Sequence, residues 1–160
     1  TLERIGGTPS VLVGLASIKR TAKRDTVLRQ MMTDQLRRAV LAFPDEDVLV
    51  GTRLATASAF DAFRALTDIV PRPDYVATGE ERAWGRRLAK RFGVPTDAYD
   101  ERAFKVTAAE TPALVFDHDS LKPESIPADV VALFDDVDAD GGDSLVGFGW
   151  ALADDLVKLI

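Results

Sequence analysis

Short apolar runs that end in glycine alternate along this chain with segments whose apolar residues recur at helical spacing. Ser10 to Gly14 is the first such run, and a few apolar residues closed by a turn-former predict a buried strand. Leu28, Met31, Met32, Leu36, Ala39, Val40 and Phe43 then recur three or four apart. They predict a helix that Pro44 and Asp45 end. Asp47 to Thr52 is the clearest strand. Ala59, Phe60, Phe63, Leu66, Ile69 and Val70 predict a second helix, with Thr56 or Ser58 as its cap and Pro71 and Pro73 as its stop. Asp74 to Gly79 predicts the next strand. A helix follows over 80–92, with Glu80 and Glu81 in the first turn, where the helix dipole favours acids. Trp84, Leu88 and Phe92 form its buried stripe, and Gly93-Val94-Pro95 its stop. Thr96 to Tyr99 reads as extended, residues 100–110 show no clear period, and Ala113 to Phe116 reads as a short strand. Residues 127–135 read as helical and Asp135 to Asp143 as an acidic loop. Leu145 to Ile160 reads as a C-terminal helix capped by Ser144.

Alternation of strand and helix argues for right-handed crossovers. The expectation is a single α/β domain over residues 1–160, a Rossmann-like three-layer fold with a mostly parallel sheet. In such sheets ligands sit outside the carboxyl ends of the strands. That rule selects Gly14 and Leu15, Gly51 to Arg53, Thr78 to Glu80, and Asp117 to Asp119.

Residues 47–100 also carry a resemblance. Val48 to Arg53, with its strand and Gly-x-Arg turn, resembles the opening of the SLOG superfamily, Rossmann-like domains that sense or process nucleotide-derived ligands. Asp74 to Gly79 resembles the strand that leads to its glycine-rich loop, and Arg82 to Pro95 the helix and Gly-Val-Pro exit beyond it. Ala113 to Phe116 would be the following strand. The resemblance implies a pocket for a nucleotide-derived or other small anionic ligand, lined by Gly51, Thr52, Arg53, Thr78, Gly79 and Glu80. Arg53 would hold the anion, and Glu80 a ribose hydroxyl or a base. The loop departs from the family in having one glycine and two carboxylates where an anion would approach the backbone, so an ordinary phosphate cradle is not expected.

Composition narrows the class. The 160 residues are 46% hydrophobic and 29% charged, which fits one globular domain. There is no cysteine, so thiolate zinc sites and cysteine nucleophiles are excluded. No run of 18 apolar residues or signal-like start occurs, so no membrane role and a cytoplasmic location are expected. Net charge is −6, yet residues 1–40 carry +5. Lys19, Arg20, Lys23 and Arg24 would meet phosphates, but no aromatic residues interleave with them for base stacking. A solvated helix accounts for the charge, and nucleic acid is disfavoured as a partner.

Three further motifs fail their own chemistry. Ala113 to Leu121 has the form of a haloacid-dehalogenase signature, with Asp117 and Asp119 as nucleophile and proton shuttle around magnesium. Too little chain follows to supply the remaining groups. His118 is the sole histidine, so a multi-histidine metal site is excluded. Asp136, Asp138 and Asp140 begin a calcium-loop spacing, but Gly147 stands where the bidentate acid belongs. No metal is expected, no cofactor is implied, and no catalytic set is complete. The basic face of Arg82, Arg86, Arg87, Lys90 and Arg91 suits either an acidic partner or solvent. The alternative to a ligand-binding domain is a non-catalytic interaction module. Phe148, Trp150, Leu152, Leu156 and Ile160 would then dock on a protein partner or a second copy.

Overall fold

A computed structural model describes residues 1–13, 24–61, 63, 65–107, 126–138 and 141–159. Gly14, Leu15, the Lys19–Lys23 cluster, the strand expected at 113–116, Asp117 to Asp119, Asp140 and Ile160 lie outside the described residues.

The chain opens with a hairpin, β1 (Leu2–Ile5) and β2 (Thr8–Val13), turned by Gly6 and Gly7 at positive φ. Such φ values cost a residue with a side chain far more than glycine. Helix α1 (Arg24–Ala42) leads to β3 (Val48–Leu54), which pairs parallel with β2. This is one βαβ unit as expected from the sequence. Phe43 follows the helix and lies under the Arg4 guanidinium, 4.5 Å from its ring centroid.

The next stretch departs from the sequence reading. Helix α2 covers only Ala57–Asp61, capped by Thr56, whose hydroxyl accepts from the Ala59 amide at 3.2 Å. Thr67–Val70, expected to continue that helix, forms strand β4. Three of its four residues are β-branched and fit a pleated surface better than a helix. The strand expected at 74–79 is absent. Asp74 takes a left-handed φ of 55°, and Thr78 caps helix α3 (Gly79–Arg91). The end of α3 is as expected. Gly93 lies at φ +77°, its amide donates to the Lys90 carbonyl, and the Val94 amide donates to the Ala89 carbonyl, a Schellman closure. A 3₁₀ turn at Thr96–Ala98 leads to the short strands β5 (Tyr99–Asp100) and β6 (Lys105–Val106), then helix α4 (Ala128–Ala132).

The largest correction is at the C-terminus. Residues 144–151, expected in a helix, form β7 (Ser144–Ala151); only Ala153–Leu156, α5, and a 3₁₀ turn at Val157–Leu159 are helical. Gly147 and Gly149 explain the difference. Each costs a helix about 1 kcal/mol. In the strand they let neighbours pack closely: a Cβ on Gly149 would lie 2.8 Å from the Leu66 Cβ, and one on Gly147 would lie 2.9 Å from a Leu54 methyl group.

This one strand changes the sheet type. The strand order is β1-β2-β3-β7-β6-β5, with β4 also on β7. β7 runs antiparallel to β3, β4 and β6, so β2, β3, β4 and β6 all point the same way. Among the described residues, β2 and β3 are the one parallel pair, and the mostly parallel Rossmann-like sheet is overturned. Strands of common direction are present, but β7 is inserted between them.

Two cores flank the sheet. Val48, Val50 and Leu54 of β3 face α1, α2, α4 and α5 through Val40, Phe60, Val130 and Leu156. Leu49 faces the other way, with Trp84 and Leu88 of α3, Phe104 and Phe148. All seven residues of β3 are buried. Among the described residues, no helix is long and apolar enough to cross a membrane.

Candidate functional site

The two edges of β7 are used differently. β3 pairs along the whole of one edge, from Val48↔Ala151 to Leu54↔Leu145. The other edge is shared: β6 takes Ser144 and Leu145, and β4 takes Phe148 and Trp150. Where the two short strands part, β4 ends at Val70-Pro71 and β6 has not yet begun. A cleft of about 430 Å³ opens beside them. Val70, Pro71, Val76, Ala77 and Phe104 supply its apolar lining, and Tyr75, Arg82 and Arg102 its polar groups.

Each wall has a local cause. The 71–78 loop is tied to α3 by a capping box: the Thr78 hydroxyl accepts from the Glu81 amide at 3.1 Å, and Glu81 accepts from the Thr78 amide at 2.9 Å. The Tyr75 hydroxyl donates to the same Glu81 carboxylate at 2.6 Å, and Arg72 stacks 3.5 Å above the Tyr75 ring. Desolvation works against the Glu81 charge. The hydrogen bonds from Thr78 and Tyr75 outweigh it and hold the carboxyl below its ordinary pKa. Tyr75 shifts upward, chiefly because its proton is held by Glu81.

Phe104 forms the floor. It is almost wholly buried and takes a left-handed φ of 56°, a costly backbone conformation for a bulky residue. It is fixed from above by Gly85 of α3, where a Cβ would lie 2.8 Å from the ring and 2.6 Å from the Tyr99 hydroxyl. Among the described residues, that buried hydroxyl has no hydrogen-bond partner. Burial, with Glu101 and Asp100 nearby, pushes its pKa up. Arg82 donates one nitrogen to the Ala77 carbonyl at 3.1 Å. Among the described residues, neither Arg82 nor Arg102 has an ion-pair partner.

The residues expected from the sequence are distributed differently. Gly51 lies beneath Leu88: a Cβ on Gly51 would fall 2.8 Å from the Leu88 side chain. Leu88 stands nine residues into α3, about 13 Å along the helix from Gly79 at 1.5 Å per residue. The two glycine turns are therefore not brought together there. Thr52 is buried and donates to the Val13 carbonyl at 3.0 Å. Arg53 is buried and donates from Nε to the Ser144 hydroxyl at 3.1 Å; burial lowers its pKa. Thr78 serves the cap, while Gly79 and Glu80 are exposed in the first turn.

The basic face of α3 is mostly engaged: Arg86 pairs with Glu101 at 2.8 Å, Arg91 pairs with Glu3, and Arg87 lies over Trp84. Of the apolar residues expected to dock a partner, two turn inward and a third packs on α3. Phe148 and Leu156 are buried, and Trp150 meets Trp84 edge-on at 6.1 Å. In the acidic loop, Asp138 accepts from the Gly141 amide, and Asp143 accepts from the Asp138 amide. Among the described residues, no group of three metal-ligating side chains converges.

Sequence reasoning passed over Tyr75, Arg102 and Phe104. The legible signal was Thr78-x-x-Glu81, a capping-box spacing that commits Glu81 to the loop and marks the residues before it as a fixed structure. Comparison with family models, with curated proteins and with solved structures gives no match. The resemblance to the SLOG superfamily thus rests on sequence pattern alone.

Proposed function

We propose that this domain binds a small anionic ligand in the cleft between β4, β6 and the start of α3. The observation that carries the reading is that Arg82 and Arg102 both line a mostly apolar cleft and that neither has an ion-pair partner among the described residues. A volume of about 430 Å³ lies within the range of small-molecule sites, which spans roughly 300–1,000 Å³. Phe104 holds a strained backbone at the floor, a feature that clusters at ligand sites. The nucleotide-derived ligand expected from the sequence is one member of this class.

The test is a thermal-shift panel of organic and inorganic anions on the full chain. At least one anion raises the melting temperature by mass action, and R102A removes that rise. A panel in which no anion stabilises the protein rejects the reading.

A second reading is an interaction module. Met31 and Leu41 on α1 are 46% and 68% exposed, an apolar contribution to the surface that a second copy would cover. Sedimentation that shows the monomer mass across a wide concentration range rejects it.

A further inference from the structure

We infer that the ligand of the cleft is a carboxylate with an apolar body, of the aryl or branched acyl kind, and not a nucleotide. The inference rests on the anion-binding reading above and specifies its chemistry. A nucleotide brings ribose hydroxyls and base amino groups, each needing an acceptor once it leaves water. Among the described residues, the side chains that line the cleft carry two guanidinium groups, one phenol and five apolar groups. Guanidinium groups donate and cannot accept. Glu81, the nearby carboxylate, does not line the cleft, and its Oε1 is already turned to the Tyr75 hydroxyl and the Thr78 amide. The Ala77 carbonyl receives Arg82. What remains is a surface that rewards one anionic group and a hydrocarbon remainder. Arginine meets a carboxylate, as it does a phosphate, in a two-pronged geometry; the hydrocarbon remainder separates the candidates, and Phe104, Val70 and Pro71 offer it an apolar contact.

The experiment titrates the full chain, by calorimetry or ligand-observed NMR, with phenylacetate, phenylacetamide, AMP and inorganic phosphate. Phenylacetate is expected to bind at least about tenfold more tightly than each of the other three, the scale of one charge-assisted hydrogen bond. R102E, on an exposed side chain, weakens phenylacetate by about tenfold or more and leaves the melting temperature of the free protein unchanged. If R82E disturbs the loop that Arg82 holds, R82K serves in its place: the charge remains, the two-pronged geometry is lost, and affinity falls. Binding of AMP or phosphate as tightly as phenylacetate overturns the carboxylate inference and leaves the anion reading intact. Equal binding of phenylacetamide, or no binding of any anion, overturns both.

Discussion

The two edges of β7 divide the work of the domain. On one side seven consecutive residues of β3 are paired and buried. On the other side β4 and β6 meet β7 at its two ends and leave a cleft between them. The continuous edge can bury apolar area on both faces and leaves no room for a ligand. The divided edge gives up pairing and area, and what it leaves exposed includes Arg102, Tyr75 and Val76. Stability and recognition therefore fall on opposite sides of one strand.

The strongest attempt to break this comparison is L49A. Leu49 is wholly buried in β3. The variant is expected to lose about 3 kcal/mol by chemical denaturation, within the usual range for a buried leucine truncated to alanine. A loss near zero would mean that the continuous edge does not carry the fold. G85A is next. Its Cβ would press on the Phe104 ring and the Tyr99 hydroxyl, which are rigid aromatic groups. Overpacking costs about 1–3 kcal/mol and exceeds the helix-propensity gain of about 1. A stabilised G85A would show that Phe104 is not held in place by α3.

T78A removes the cap of α3 and is expected to cost about 1 kcal/mol, with T78S restoring most of it. The same cap gives the smallest effect, a pH dependence. Glu81 has a folded pKa below its unfolded value. Its contribution is therefore present above the ordinary carboxylate pKa and lost as pH falls through the lower, folded value. Melting curves from neutral pH to about 3 should decline less steeply for E81Q than for the natural chain. Parallel declines would remove Glu81 from the account.

Local order was legible wherever pattern and propensity agreed. The β2–α1–β3 unit, the buried stripe of Trp84 and Leu88, and the Gly93 stop all followed from spacing and turn chemistry. The sheet type was not legible, because it turns on 144–151. There the apolar residues satisfy a helical spacing as well as a strand, and the two glycines decide between them by packing against Leu54 and Leu66, which are distant in sequence. Thr67 to Val70 went the same way, since its partner is β7. The site was less legible still. The strand-end rule selected Gly51 to Arg53, which an inserted strand buries. Arg102 lay in a stretch with no period, and nothing local ties it to Arg82.

The most direct test of the central claim is an amide chemical-shift map of the protein saturated with phenylacetate. The account predicts shifts concentrated at Ala77, Arg82, Arg102 and Phe104, around the divided edge. Shifts confined to Gly51, Thr52, Arg53 and Gly147, along the continuous edge, would contradict it.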